Sequence, residues 1–562
     1  MITVWLPGIV LAQPKITSFS PIAAKPGDVV TLAGTDFNAT TANNIIFFGA
    51  TRATVTAATT TNVTVTVPVG ATYAPISLLN TGTGLAASSL SNFTPTFSPA
   101  KTAITATDFL PRAGFINFNE FREGSHSVAI GDLNGDGKAD LAATNFGSTT
   151  VWVLPNHSVA GSIDYSSFDV WQGFVTQSRP IAIAIGDLDG DGKPDMAVAN
   201  FGSNSISVFR NTSDTGGTGE VNFAAGQVFA AGTNPNSVAI GDLDGDGKPD
   251  LAVSNHNSNT VSVYRNIATT GSIGPGSFAA RQDFETGENP HSVTIGDLDG
   301  DEKLDLAVAN GGSNTVSVFR NISSKGSIAA GSFAAKQDFA AGNSPISLVI
   351  GDLDGDGKPD LTVANVLSDN VSVFRNTSSK GSIDAGSFAA KQDFATGRWP
   401  YSIAIGDLNG DGKPDLAAAN FISNNVSVIQ NTSSTGSIGP GSFAPRQDFA
   451  TGAIFSIAIG DLDGDAKPDL VAGDYFSNTV SVLRNADIVY TFTGSGNWDN
   501  AANWSGGILP PSTVPAFLHI IIDPTEPGEC ILNVPVTVLK SSSITVAPGK
   551  KFIIQGNLTI SN

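Results

Sequence analysis

Between residues 115 and 487, short runs of apolar or alternating residues recur at a fixed spacing, each bounded by Gly, Asn or Ser. In the fifth copy they are Ser347–Ile350, Leu361–Ala364, Val371–Phe374 and Phe388–Phe394, each with the length and character of a β-strand. The segment Ile-Gly-Asp-Leu-(Asp/Asn)-Gly-Asp marks every copy, with its first Asp at 132, 187, 242, 297, 352, 407 and 461, a period of 55 residues five times and then 54. Four strands per unit, repeated seven times, predict an all-β chain built around a seven-bladed β-propeller.

The ends of the array predict how the ring closes. The fourth-strand pattern Phe-x5-Phe occurs at Phe223/Phe229, Phe278/Phe284, Phe333/Phe339, Phe388/Phe394 and Phe443/Phe449, with a degenerate copy at Phe168/Phe174. A further copy, Phe115–Phe121, precedes the first acidic turn, while the seventh unit ends after its third strand near Asn485. Phe115–Phe121 is therefore expected to complete the last blade and leave no open edge.

On either side the pattern changes. Residues 15–98 alternate between strand-like runs and the turns Pro26-Gly27 and Gly34-Thr35-Asp36, as a small β-sandwich does. Residues 99–114 read as a linker. Residues 488–562 hold the runs Leu518–Ile522, Val534–Leu539 and Phe552–Ile560 and are expected to form a small β-domain, a β-solenoid or a sandwich. At the start, the apolar run Val4–Ala12 ends in Val-Leu-Ala-Gln and lacks a basic flank, so residues 1–13 read as a truncated secretory signal peptide. No other run reaches the roughly 18 apolar residues of a membrane helix, so no membrane insertion is expected.

Charge narrows the partners. Fifty acidic against 29 basic residues give a net charge of −21, which argues against nucleic acid or an anionic membrane. The one cysteine, Cys530, excludes an intrachain disulfide and a thiolate cluster, and its apolar neighbours Ile531 and Leu532 predict a buried small hydrophobe.

Much of that charge sits in the repeated turn Asp-Leu-Asp-Gly-Asp-Gly-Lys-Pro-Asp, which sets oxygen side chains at its first, third, fifth and ninth positions. A hard cation of calcium's size takes six to eight oxygens at about 2.3–2.6 Å, and a tight turn with alternating Asp can wrap one. The expected side-chain ligands are Asp132, Asn134, Asp136 and Asp140; Asp187, Asp189, Asp191 and Asp195; Asp242, Asp244, Asp246 and Asp250; and Asp297, Asp299, Asp301 and Asp305. The remaining sets are Asp352, Asp354, Asp356 and Asp360; Asp407, Asn409, Asp411 and Asp415; and Asp461, Asp463, Asp465 and Asp469. Lys138, Lys193, Lys248, Lys303, Lys358, Lys413 and Lys467, at the seventh position, are expected to offer a backbone carbonyl and point their side chains to water.

The aspartates at these ligand positions are 26 of the 50 acidic residues, and their mutual repulsion without a cation is on the order of several kcal/mol per turn at an effective dielectric near 20. Seven Ca2+ ions would bring the formal charge from −21 to −7. Glu302 and Ala466 replace the sixth-position glycine in the fourth and seventh turns, which predicts weaker sites there.

With Asp-x-(Asp/Asn)-x-Asp in every unit and Phe146-Gly147 and Phe201-Gly202 beside it, the array resembles the FG-GAP/VCBS repeats of the integrin α-subunit propeller. The Gly-Ala-Pro half of that family's name is missing. The resemblance implies one calcium cage between the first two strands of each blade on one face, and ligand contacts on the opposite face. Residues 15–98, with Ile16-Thr17-Ser18-Phe19-Ser20-Pro21 and Phe48-Gly49-Ala50, resemble an IPT/TIG immunoglobulin-like domain.

Catalytic signatures are lacking. His126, His157, His256, His291 and His519 show no H-x-x-x-H or H-E-x-x-H spacing, and no Gly-x-Ser-x-Gly elbow occurs. The loops leading into the first strands instead vary from unit to unit, with Arg398-Trp399-Pro400-Tyr401 and Ile454-Phe455 gathering aromatic residues that Phe421, Tyr475 and Phe476 extend. The reading is a secreted or cell-surface, bacterial, non-enzymatic adhesion module for an extracellular glycan or protein ligand, with Ca2+ as structural staple. Its alternatives are a polysaccharide-processing lyase or hydrolase whose propeller presents substrate, and a structural spacer.

Overall fold

The computed structural model describes residues 12–560 except 99, 106–107, 111–112, 116–123, 169–170, 215–219, 478, 487–488, 506–508, 511, 515–518, 526 and 539–542. The expected signal peptide thus lies almost wholly outside the described residues. Among the described residues no helix is long and apolar enough to cross a membrane. Two compact units result, one of residues 1–100 with 111–484 and one of residues 101–110 with 485–562.

Seven four-stranded antiparallel sheets make the propeller in the first unit. In the fifth blade the strands run Pro345–Gly351, Asp360–Asn365, Asn370–Phe374 and Gln392–Ala395 from the innermost outward. The second strand is buried at every position, because neighbouring blades cover both of its faces. The outermost keeps one wet face and alternates. Phe388 is not in that strand: it bridges Asn376, and its ring meets Phe339 of the preceding blade edge-on at 5.0 Å. The first Phe of Phe-x5-Phe is thus a blade-to-blade contact, repeated at Phe174–Phe223, Phe229–Phe278, Phe284–Phe333 and Phe394–Phe443.

Two features close the ring. The seventh sheet takes its outermost strand from Ala113–Phe115, which pairs with Thr479–Leu483. Only Phe115 of the expected Phe115–Phe121 belongs to it, and residues 116–121 lie outside the described residues. At the channel, each inner strand ends in a glycine that receives an isoleucine of the next blade. A side-chain carbon at Gly186 would stand 3.3 Å from Ile240, and one at Gly460 would stand 3.1 Å from Ile130 of the first blade.

The N-terminal part of this unit is a β-sandwich. Strands Lys15–Ser20, Val29–Thr35 and Asn62–Thr66 face Asn44–Phe48, Ala74–Asn80 and Leu85–Pro95 across a core of Val30, Leu32, Ile46, Phe48, Leu78 and Phe93. Thr51–Ala58 pairs with both sheets, bulging between Val55 and Ala57.

In the second unit, three stacks of three parallel strands form a small β-solenoid, with rungs such as Val489–Phe492, His519–Ile522 and Ser543–Val546 along one side. Cys530 is buried in its core beside Trp498 and Trp504, and burial pushes its thiol up to about 12. Residues expected as linker belong here: buried Lys101 pairs with Asp108 at 3.1 Å and donates to Asn485 Oδ1 at 3.1 Å.

Candidate metal cages and the aromatic rim

Each acidic turn joins the innermost strand to the second. In the second blade Pro180–Gly186 runs directly into Asp187, and Asp195 opens the strand Asp195–Asn200. The turn is held by its own backbone: Asp187 accepts N–H bonds from Gly190 at 2.8 Å and Gly192 at 2.9 Å, and Asp189 and Asp191 each accept one at 3.1 Å from the residue two positions on. Asp195 is fully buried and accepts from Leu188 at 2.9 Å and Asn211 at 2.7 Å. The bend needs positive φ at the sixth position, +84° at Gly192, and Glu302 and Ala466 adopt it at +75° and +71°.

The turns therefore aim carboxylates inward. In five blades three of them bring an oxygen each within 4.8 Å of one another: Asp187/Asp189/Asp195, Asp242/Asp244/Asp246, Asp297/Asp299/Asp305, Asp352/Asp354/Asp356 and Asp461/Asp463/Asp465. Burial, with neighbouring carboxylates adding to it, raises Asp187 and Asp461 to about 7 and Asp132 and Asp242 to about 6. The same causes raise Asp250, Asp305 and Asp360 to about 8. Crowded, buried and oxygen-only, this donor set fits a hard divalent cation, which would relieve both costs.

Two features of the cage differ from the sequence reading. The seventh-position lysines do not point to water: Lys138, Lys193, Lys248, Lys303, Lys358 and Lys413 each donate from Nζ to a backbone carbonyl at 2.6–2.8 Å, tying the turn to the segment after the third strand. Twenty-three residues after the first Asp, an arginine also forks between the third and fifth positions. Arg210, Arg265, Arg320, Arg375 and Arg484 each pair with two carboxylates. The blades with Asn134 and Asn409 at the third position carry Pro155 and Gln430 instead. Counting the four ligand positions and the arginine, every cage thus carries the same formal charge of −3, four carboxylates less one guanidinium or three carboxylates alone. That co-variation is visible in the sequence and was the available signal.

The cages are also linked to one another. Asn211 donates from Nδ2 to Leu133 O of the preceding cage at 2.9 Å, and Asn156, Asn266, Asn321, Asn376 and Asn431 make the equivalent bond at 2.7–2.8 Å. Asn156 reaches Leu462 and so bridges the first and last blades.

In an antiparallel four-stranded blade, the turn after the second strand and the loop into the first lie on the face opposite the cages. There the rings form an arc. His291 meets His256 at 4.7 Å, His256 meets Phe201 at 6.4 Å, Phe201 meets Phe146 at 6.1 Å and Phe146 meets His126 at 4.2 Å. The arc continues from His126 to Phe455 at 4.4 Å, on to Tyr401 at 4.5 Å and Phe421 at 4.6 Å, with Trp399 lying over Phe421 at 6.4 Å. These rings are half-buried, while Phe476, 70% exposed, and Arg398 stand out into solvent. Burial lowers His126 and His291 to about 4, so both are neutral at pH 7, and His126 Nε2 has no hydrogen-bond partner.

A ring of blades with one acidic turn apiece defines a repeat propeller. The FG-GAP-like repeat matches at residues 132–198, 187–253, 242–308, 297–363, 352–418 and 410–472, more than half of the chain, and the chain belongs to that family. The IPT/TIG domain matches residues 14–99. No curated protein matches the chain. Among solved structures it is similar to BBS1N in complex with ARL6DN, at 14% identity over 67% of this chain and 96% of that one with a TM-score of 0.42. A putative 6-phosphogluconolactonase from Bacteroides fragilis NCTC 9343 matches at 15% identity over 75% and 98% with a TM-score of 0.40. An auxiliary nutrient binding protein from Bacteroides ovatus ATCC 8483 matches at 12% over 84% and 98% with a TM-score of 0.32. None of these likenesses carries an argument about ligand or activity.

Proposed function

We propose that the chain is a secreted or cell-surface binding module without catalytic activity. Its cages hold Ca2+ as a structural staple, and its aromatic rim engages an extracellular glycan or protein. Ions that bind only the folded ring would stabilise it by mass action.

The observation that carries the reading is the arc itself. Rings from six blades line one side of the propeller, on the face the cages leave free. Flat apolar rings stack on sugar faces and on peptide side chains, and Arg398 beside them offers a charge-assisted hydrogen bond. His126 and His291, neutral at physiological pH, add polar edges without charge.

The test is binding of the purified chain to a panel of polysaccharides and matrix proteins, with calcium and with chelator, while new reducing or unsaturated ends are monitored. Trp399→Ala with Tyr401→Ala is expected to abolish binding and leave calcium content unchanged. Retained binding by that variant would remove the rim from the account, and product formation would replace a binder with a polysaccharide-processing enzyme.

A further inference from the structure

The immunoglobulin-like domain sits on the cage face of the ring and touches the turn of every blade. Ala50 O accepts the N–H of Asp132 at 3.1 Å, and the Tyr73 hydroxyl accepts that of Asp352 at 3.2 Å, each at a first cage position. In the third blade Gln13 Nε2 donates to Asp242 Oδ2 at 3.2 Å, and Ala86 N–H to Gly247 O at 2.8 Å. Lys15 pairs with Glu302 in the fourth. A side-chain carbon at Gly192, Gly410 or Gly464 would meet Ile45, Phe97 or Val69, so this domain lies against the remaining cages too.

These contacts fall on backbone groups, a ligand oxygen and fourth- and sixth-position residues, the parts of each turn whose geometry a bound ion fixes. The surface between domain and ring is not closely packed. Clefts open to solvent lie between them, one of about 390 Å³ lined by Leu78, Leu79, Ile130, Ile185 and Ile240 and one of about 1480 Å³ lined by Tyr73, Asn92, Ile295 and Ile350. Close-packed interiors leave no gaps of that size, so docking leans on the turns.

We propose that the N-terminal domain is a clamp whose docking is coupled to cation occupancy of the cages. Filled cages present ordered turns to which the domain hydrogen-bonds, and emptied cages release it from the ring. Linkage makes the effect reciprocal: loss of a docking contact weakens the cage that made it. The proposal rests on the cages binding calcium and adds a consequence that binding alone does not require.

The test is hydrogen–deuterium exchange of the full chain with calcium and with chelator, alongside its metal content. On chelation, the turns 49–51 and 68–73 at the interface and the amide of Ala86, bonded to Gly247 O, are expected to lose protection, while strands Val29–Thr35, Asn44–Phe48 and Ala74–Asn80, whose amides are bonded within the domain, keep theirs. In Tyr73→Phe, which keeps the ring and removes one hydrogen-bond acceptor, the calcium concentration that half-protects 352–360 should rise about fivefold, with 187–195 unchanged. Bound calcium with interface protection indifferent to chelation overturns the clamp and leaves the cages standing. A chain that binds no calcium overturns both.

Discussion

Arg210 donates through Nε to Asp189 Oδ2 at 2.7 Å, and the side chain of Asp189 is 0% exposed while that of Arg210 is 29% exposed. The guanidinium therefore acts as a fixed partner for a carboxylate that water cannot reach. Among the described residues no other cation pairs with Asp189. A bound cation would take over part of that task.

Removing the arginine should accordingly matter most when the cage is empty. Arg210→Gln is expected to lower the stability of the chelator-treated protein by about 1–3 kcal/mol, between the exposed and the buried limits for breaking such a pair. The loss should be smaller in saturating calcium. Thermal unfolding of both forms under both conditions checks this, and an equal shift in each would show that the fork is not tied to the cage.

Positive φ at a residue with a Cβ costs about 1 kcal/mol, and Glu302 and Ala466 bear it at +75° and +71°. The fourth and seventh cages are expected to empty first in a chelator titration read site by site. Ala466→Gly should bring the seventh into line with the others. It is the cleaner variant, because Glu302 also pairs with Lys15.

Acid should act in opposite directions on the two forms. Asp250, Asp305 and Asp360 lie near 8 in the metal-free fold and Asp187 and Asp461 near 7, all above the value of about 4 for an exposed aspartate. The folded state then binds more protons than the unfolded one, so metal-free stability is greatest below about pH 4 from this source and falls as pH rises toward 8. Calcium must displace those protons, so its affinity rises over the same interval. Melting curves in chelator and calcium titrations at pH 5, 6, 7 and 8 test both signs.

Loss of Ala113–Phe115 exposes the third strand of the seventh blade, Thr479–Leu483, as an unpaired edge. Deletion of residues 113–115 is expected to lower the melting temperature and promote association of chains through that edge. An unchanged melting curve would mean that the ring does not depend on this strand.

The strands of the propeller were legible because their pattern is local: alternation such as Val316-Ser317-Val318 marks a third strand, and an unbroken apolar run such as Leu306–Ala309 marks a strand buried on both faces. The acidic turns were legible for the same reason, since nine consecutive residues supply their carboxylates. Phe388 was misplaced because an aromatic between two blades looks like one inside a strand. The lysine tethers were missed because each spans 20 residues to a carbonyl, which sequence does not mark. The arginine fork was legible only by comparing units, where Asn at the third position goes with Pro155 or Gln430 in place of arginine. Docking of the N-terminal domain had no sequence signature at all: Tyr73 and Asp352 stand 279 residues apart, and each is ordinary in its own surroundings.

The most direct test of the account is the calcium content of the folded chain, counted by native mass spectrometry after equilibration with calcium and again after chelation, with a melting curve at each stage. The account predicts up to seven ions per chain, lost on chelation together with a fall in melting temperature at pH 7. A chain that carries no calcium, and melts at the same temperature in calcium and in chelator, would contradict it.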